Sequence, residues 1–294
     1  MLMTIIALVA FGLVFGSFSG AQVWRLRARQ LEQDKKSGEK VSQKEYTQLH
    51  SLLKPFAKDR SVCLHCHHEL AWYDMIPLLS WLSLGGKCRY CRHSIGSMEP
   101  LVEAGLALVF VTSYLFWPHH LDNPLEWVRF AIWLVACVLM AILFVYDAKW
   151  SLLPFGINVG LVAVAVLFVV VSFVIAPFSP NDWWSLLGGI GILSGLYYLF
   201  SLPGWVGLGD SILGLGLALL LQQWDKSFLA LFIANLLGCL MLIPLAFRHK
   251  LARGAHIPFG PFLILGTIVA YLWGAQLMTA IFDWSGMLIN PFMV

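Results

Sequence analysis

Residues 127–147 read WVRFAIWLVACVLMAILFVYD: one arginine near the start, seventeen uninterrupted apolar residues, then an aspartate. A helix over the first twenty would be ~30 Å long at 1.5 Å per residue, the thickness of a bilayer's hydrocarbon core. Working outward, comparable apolar blocks fall at roughly 2–24, 100–117, 157–176, 184–202, 205–221, 228–247 and 257–282. Hydrophobic residues make up 59% of the 294, and charged residues 12%. Soluble domains average about 45–50% and about 25%, and one soluble globule of this length could not enclose so much apolar side chain. The expectation is an all-α polytopic membrane protein with about eight transmembrane helices. No basic residue precedes the first block, whereas Arg25, Arg27 and Arg29 follow it. A cleaved signal peptide has the opposite order, so this block is expected to stay as a span.

The basic residues set the orientation. Thirteen of the 19 Lys and Arg lie in residues 25–97. Placing that loop in the cytoplasm puts Lys149, Arg248, Lys250 and Arg253 there too, leaving only Arg129 and Lys226 outside. Within the spans, Gly12, Gly16 and Gly20 lie four apart, as do Gly191 and Gly195. Small residues at this spacing let helices pack closely in lipid. Leu49, Leu52, Leu53 and Phe56 recur at helical spacing in the large loop. They fit either an amphipathic helix on the inner leaflet or one docked on the rest of the loop. No internal repeat is evident.

That loop also carries Cys63, Cys66, Cys88 and Cys91, two Cys-x-x-Cys pairs separated by 21 residues. Two such turns converge four thiolates on a tetrahedron, the arrangement of a structural zinc site. A cytoplasmic location disfavours disulfides. Four thiolates close the coordination shell, so the zinc would be a scaffold, and neighbouring His65, His67, His68 and His93 are not needed as ligands. Cys137 and Cys239, inside spans, read as small apolar residues.

Acids within spans are expensive and are functional candidates by default. Glu103, Asp147 and Asp210 qualify; Asp122, Glu126, Asp182, Asp225 and Asp283 read as solvated residues of outer loops or span ends. Asp147 ends the third span and Asp210, in Gly207-Leu208-Gly209-Asp210, opens the sixth, so both reach one depth near the cytoplasmic face. Gly207 and Gly209 leave the backbone open to close approach. Two carboxylates sharing a site do not both ionise readily, and such a pair performs aspartic-protease chemistry. On spacing alone, a proton- or metal-coupled transporter with a zinc regulatory loop explains the acids equally well.

The motifs resemble those of the bacterial type IV prepilin peptidases. Gly207-Leu208-Gly209-Asp210 matches their Gly-x-Gly-Asp signature, shared with presenilin-like intramembrane aspartyl proteases, and Asp147 followed by Leu153-Pro154 matches their first aspartate motif. Ser61-Val62-Cys63-Leu64-His65-Cys66, Ile76-Pro77-Leu78, Ser80-Trp81-Leu82 and Gly86-Lys87-Cys88-Arg89-Tyr90-Cys91 are similar to their cytoplasmic cysteine module. Pro100-Leu101-Val102-Glu103 and Pro258-Phe259-Gly260-Pro261 match as well, all in family order. The chain departs from the pattern in three places. Gly16-Ser17-Phe18-Ser19 lacks the asparagine that follows in the family, Leu64 replaces a proline, and Glu99 replaces a tyrosine before Pro100.

The resemblance implies an organisation of 1–24 as a first transmembrane helix, 25–99 as a cytoplasmic loop with a four-cysteine zinc module tied to methyl transfer, and 100–294 as a seven-helix aspartyl peptidase. It implies that Asp147 and Asp210 cut a basic leader from prepilins and pseudopilins at the cytoplasmic face of the bacterial inner membrane. Gly207, Gly209, Pro258, Phe259 and Gly260 would support that site. It further implies N-methylation of the new terminus with S-adenosylmethionine, with Glu103, Gly16 and Ser17 as candidate residues; a peptidase lacking this second activity is the alternative. The S-adenosylmethionine pocket is expected where the module meets the first two spans. Membrane lipid is an expected partner, and nucleic acid is not.

Overall fold

The computed structural model describes residues 1–53, 60–204, 206–247 and 258–289, with side chains left undescribed at 244–247 and 281–289. Phe56 and the orienting residues Arg248, Lys250 and Arg253 lie outside the described residues. Among those described, the regular structure is helical, with two isolated bridges, Val62 with Glu69 and Lys87 with Ser94. Among the described residues, seven helices are long and apolar enough to cross a membrane, and an eighth apolar helix is shorter. The chain divides into two compact units, Met1–Tyr114 and Leu115–Val294.

The first unit holds α1 (Leu2–Lys36), α2 (Gln43–Leu49), the short α3 (Leu79–Ser83) between the two cysteine pairs, and α4 (Met98–Leu115). α1 is 35 residues long, or ~52 Å. It therefore outruns a bilayer and carries its basic end beyond it. Its apolar half packs on α4 through glycine. A β-carbon at Gly12 would collide with the backbone of Ala107, and one at Gly16 with that of Glu103. The polar half of α1 receives α2, capped by Ser42, whose side chain accepts from the Glu45 N–H. Leu49 and Leu52 are buried with Ala28, Leu31 and Val62. Of the two placements the sequence allowed for this helix, docking on the protein is the one observed. Arg27 pairs with Glu45 at 2.8 Å alongside.

The second unit is a bundle of α5 (Pro124–Trp150), α6 (Phe155–Ile175), α7 (Pro180–Ile190), α8 (Leu196–Ser201), α9 (Leu208–Leu221), α10 (Trp224–Phe247) and α11 (Gly260–Ile289). A π-helical turn, Gly191–Gly195, joins α7 to α8. A β-carbon at Gly191 would meet nothing, so this glycine serves no close helix crossing here. The tight crossings run through Gly214 against the Leu193 carbonyl and Gly266 against that of Ala230. The sixth span, read as 205–221, is α9, only 14 residues and ~21 Å long. α8 ends at Ser201, Gly204 takes φ +77°, and α9 begins at Leu208. α9 touches every helix of the unit from α6 to α11. Other protein therefore surrounds it, and Leu213, Leu217 and Leu220 are fully buried. Large apolar side chains such as Phe155, Val174, Phe228 and Leu240 point outward, as on a lipid-facing surface.

Candidate active site and metal centre

At one end of the second unit, α5 terminates while α6, α9 and α11 begin. α5 stops because Ser151 adopts the left-handed conformation (φ 52°) and its N–H closes on the Asp147 carbonyl at 2.7 Å. Asp147 is left in the last turn, 4% exposed. Its Oδ2 accepts the Gly260 N–H at 2.9 Å. That N–H belongs to the first turn of α11, where no intrahelical acceptor exists and the helix end is partly positive. A β-carbon at Gly260 would stand 2.7 Å from the same oxygen, so only glycine permits this contact without displacement.

Asp210 lies in the first turn of α9, its N–H bonded to the Gly207 carbonyl at 3.1 Å. A β-carbon at Gly207 would lie 3.6 Å from Asp210 Oδ2, and one at Gly209 would lie 3.2 Å from the Leu153 β-carbon. Leu153 belongs to the motif after Asp147, so the two aspartate motifs press against one another. The two carboxylates interact electrostatically. Phe259 packs against Tyr197 with ring centroids 5.7 Å apart and the planes tilted by 42°. Asp147, Gly207, Gly209, Asp210, Phe259 and Gly260 are thus brought to one end of one bundle. Pro258-Phe259-Gly260 serves as a helix start that reaches the aspartate with its backbone. Asn158, whose amide donates to the Gly209 carbonyl at 2.7 Å, is a residue the sequence reading passed over. The available signal was a lone amide near the start of an otherwise apolar block.

In the first unit, Glu103 Oε2 accepts the Leu78 N–H at 2.7 Å, and Ser17 hydrogen-bonds the same carboxylate. Gly16 abuts the Glu103 backbone. The three residues singled out in sequence therefore converge, and they do so against the Pro77-Leu78 turn of the cysteine module. Glu99 neighbours them: Oε1 accepts the Trp24 indole N–H at 3.0 Å, while Oε2 is buried with no hydrogen-bond partner.

The four cysteines sit on two turns of one design. Cys63 N–H donates to the His68 carbonyl at 3.0 Å and His67 N–H to that of Cys63 at 2.9 Å; Cys88 N–H donates to the His93 carbonyl at 2.9 Å and Arg92 N–H to that of Cys88 at 3.0 Å. His67 and Arg92, at matching places, have φ 56° and 58°. This is a short internal repeat, legible as Cys-x-x-Cys-x-His in both copies, that the sequence reading did not find. All four sulfurs lie within 4.8 Å of one another, a cluster that could hold a metal ion. Burial pushes the Cys88 thiol up, but backbone N–H donors of Cys91 and Tyr90 outweigh it, leaving it at about 7. The histidines are used in packing: His65 stacks on His93 at 3.9 Å, and His68 packs tilted against Tyr90 with centroids 3.7 Å apart. Asp74 braces the second turn through Arg89 at 2.7 Å and Tyr90 at 3.2 Å.

One acid departs from its expected setting. Glu126, read as solvated, is 8% exposed and pairs with Arg129, itself 6% exposed, at 2.8 Å one turn along α5. It lies at the opposite end of α5 from Asp147.

The Bacterial Peptidase A24 N-terminal domain family matches residues 10–117, and the Type IV leader peptidase family matches residues 134–243. Among similar proteins, the prepilin leader peptidase/N-methyltransferase of Pseudomonas aeruginosa is 30% identical over 294 residues, 96% of this chain and 94% of the relative. That of Stutzerimonas stutzeri is 31% identical, covering 74% and 73%. A type 4 prepilin-like proteins leader peptide-processing enzyme of Escherichia coli is 32% identical, covering 87% and 89%. No solved structure matches the chain. With matches that run through both the cysteine turns and the paired aspartate motifs, the chain belongs to the type IV leader peptidase family.

Proposed function

We propose that this protein is an aspartic endopeptidase of the bacterial inner membrane that removes the leader from prepilins and pseudopilins with Asp147 and Asp210, then N-methylates the new terminus. The observation that carries the peptidase half is the pair of carboxylates, Asp210 in the first turn of α9 and Asp147 in the last turn of α5, the latter gripped by the Gly260 N–H at the start of α11. Helix N-termini stabilise negative charge, so one carboxylate stays ionised beside a protonated partner. The ionised member takes a proton from water as the oxygen attacks the scissile carbonyl carbon. The protonated member hydrogen-bonds the carbonyl oxygen and then protonates the departing amine. A peptide bond and one water become a carboxyl group and an amine. A prepilin has a basic leader that stays in the cytoplasm and an apolar helix that stays in the bilayer. Its scissile bond falls between them, at the depth of the dyad. A transporter would place polar groups along the bilayer midplane. α5 instead is apolar from Phe130 to Tyr146, between Arg129 at one end and Asp147 at the other.

Zinc suits the four thiolates. Tetrahedral bonds of ~2.3 Å place sulfurs ~3.8 Å apart, and Cys63 and Cys91 lie 3.9 Å apart. S-adenosylmethionine supplies an electrophilic methyl group on a sulfonium cation. Glu99, with a buried unpartnered oxygen, suits a cationic group, and Glu103, held by Ser17 and Leu78, is placed to orient the substrate amine or take its proton. The zinc module is assigned to the cytoplasm with its basic residues.

The test uses purified full-length protein, a synthetic prepilin and S-adenosylmethionine, read by mass spectrometry. Leader loss and a methyl gain are both expected. Uncut substrate overturns the peptidase reading, and cutting without methylation reduces the protein to a peptidase. Glu103→Gln should keep cutting within about twofold while methyl transfer falls about 10²-fold, the loss typical of a general base.

Gly260→Ala offers a separate check on the grip on Asp147. Losing a hydrogen bond to a charged group costs ~1.5–3 kcal/mol, so initial cleavage rates should fall roughly 10–100-fold. A fall of less than about twofold would show that this contact does not matter.

A further inference from the structure

Asn158 is fully buried in the first turn of α6, and its side-chain N–H donates to the Gly209 carbonyl at 2.7 Å. That carbonyl belongs to the peptide bond leading directly into Asp210. A carbonyl oxygen has two lone pairs, so it can accept this bond in addition to its place in the ladder of α9. Beneath the same peptide, Leu153 crowds position 209: a β-carbon there would lie 3.2 Å from the Leu153 β-carbon, so that side chain would have to give way by a few tenths of an ångström. Leu153 and Asn158 both belong to the stretch that follows Asp147, on either side of Pro154. The segment that ends the first aspartate motif thus grips the second at two points, one apolar and one polar.

The polar grip comes at a cost to folding. Asn158 Oδ1 is buried with no hydrogen-bond partner. A leucine, with the same number of side-chain heavy atoms and the same branch point, would remove that orphan acceptor, and the Gly209 carbonyl would keep its helical bond. Packing alone therefore favours an apolar residue at 158.

We infer that Asn158 is a positioning residue for the reaction: it fixes the Gly209–Asp210 peptide plane and so holds the Asp210 carboxylate in register with Asp147. This rests on the proposed peptidase activity. The Asp210 N–H already bonds the Gly207 carbonyl within the same turn; Asn158 adds an anchor from a different helix, and a small misplacement of a reacting group costs far more rate than binding.

The experiment compares the wild type with Asn158→Leu and Asn158→Thr in the full-length protein, each assayed three ways. These are kcat and KM for a synthetic prepilin, methylation of a leaderless peptide, and the thermal unfolding midpoint. For Asn158→Leu, kcat is expected to fall roughly 10–100-fold with KM within about twofold. Methylation should stay intact, and the midpoint should be unchanged or higher. Asn158→Thr, which keeps a donor, should lie between Leu and wild type in kcat. Two results overturn the inference: a kcat in Asn158→Leu within about twofold of wild type, or cleavage, methylation and midpoint falling together in both variants, which marks a merely structural residue. A wild type that leaves the prepilin uncut fails the peptidase reading instead, before any variant is compared.

Discussion

Asp210→Asn is expected to leave a synthetic prepilin essentially uncut, with the cleavage rate reduced by about 10²–10⁴-fold or more, the share usually carried by a positioned acid or base. Asp147→Asn should do the same. Asparagine keeps the volume of the side chain and a carbonyl oxygen for the Gly260 N–H, so the fold around α5 and α11 has no reason to change. It cannot cycle a proton, and a dyad needs one member to accept a proton while the other supplies one. The double variant should be little slower than either single one, because residues acting as a unit lose their whole contribution when one is removed. Methylation of a peptide whose leader is already gone should persist in all three. Glu103, Ser17 and Gly16 belong to the first unit, whereas both exchanged groups belong to the second. The measurement is mass-spectrometric cleavage rate alongside methyl incorporation. Either single variant cutting at more than about a tenth of the wild-type rate would remove that aspartate from the mechanism.

Much of this arrangement was legible in the sequence, and the parts that were not share a cause. Apolar block length marks a span well because lipid imposes a length. It does not mark where a helix embedded in other protein begins. Residues 205–221 therefore read as a full span, although α9 starts only at Leu208, after the break at Gly204. Glycine spacing correctly anticipated the close approach of α1 and α4 at Gly12 and Gly16, but the same spacing at Gly191 and Gly195 marks a π-helical turn. Which face meets a neighbour is a tertiary property that spacing does not contain. Glu126 sits at a block edge, the usual place of a solvated acid; only Arg129, three residues on, hints that both are buried as a pair. Asp147 and Asp210 could be matched in depth by alternating the spans. The third contributor to their setting, the Gly260 N–H, has no side chain to notice, and Gly260 entered only through the resemblance of Pro258-Phe259-Gly260-Pro261. Backbone donors at a helix start are invisible to a reading that looks for polar residues; the amide of Asn158 was visible, but its partner, a backbone carbonyl, was not.

Cys88→Ser should separate the two activities in the other direction. The turns around Cys63 and Cys88 have little else to hold them. Among the described residues, the apolar core in this part of the chain consists of Ala28, Leu31, Leu49, Leu52 and Val62 with a few partly buried neighbours, while Trp72, Leu79 and Leu82 are exposed. The backbone pairing amounts to two isolated bridges. A core of that size does not offset the chain entropy of residues 60–97, whereas a structural zinc contributes apparent binding energies of ~10–16 kcal/mol in small modules. Serine at the buried position 88 removes a thiolate from the shell and leaves a hydroxyl that binds zinc poorly. Metal content by mass spectrometry should fall from about one zinc per chain to a small fraction, given a four-thiolate site. Amide hydrogen exchange should then rise across both turns. The loss should reach Glu103 through its bond to the Leu78 N–H, which belongs to the same module, so methyl transfer should drop by at least about 10²-fold as its positioning is lost. Leader removal should stay within about threefold, a modest change beside what a displaced reacting group would cause, because Gly260, which grips Asp147, and Leu153 and Asn158, which grip the Gly209–Asp210 peptide, belong to the second unit. A chelator applied to the wild type should reproduce the pattern, and added zinc should reverse it. A zinc-free variant that methylates at the wild-type rate would detach the metal from methyl transfer. One that loses cleavage in equal measure would show that the cysteine turns support the aspartates as well.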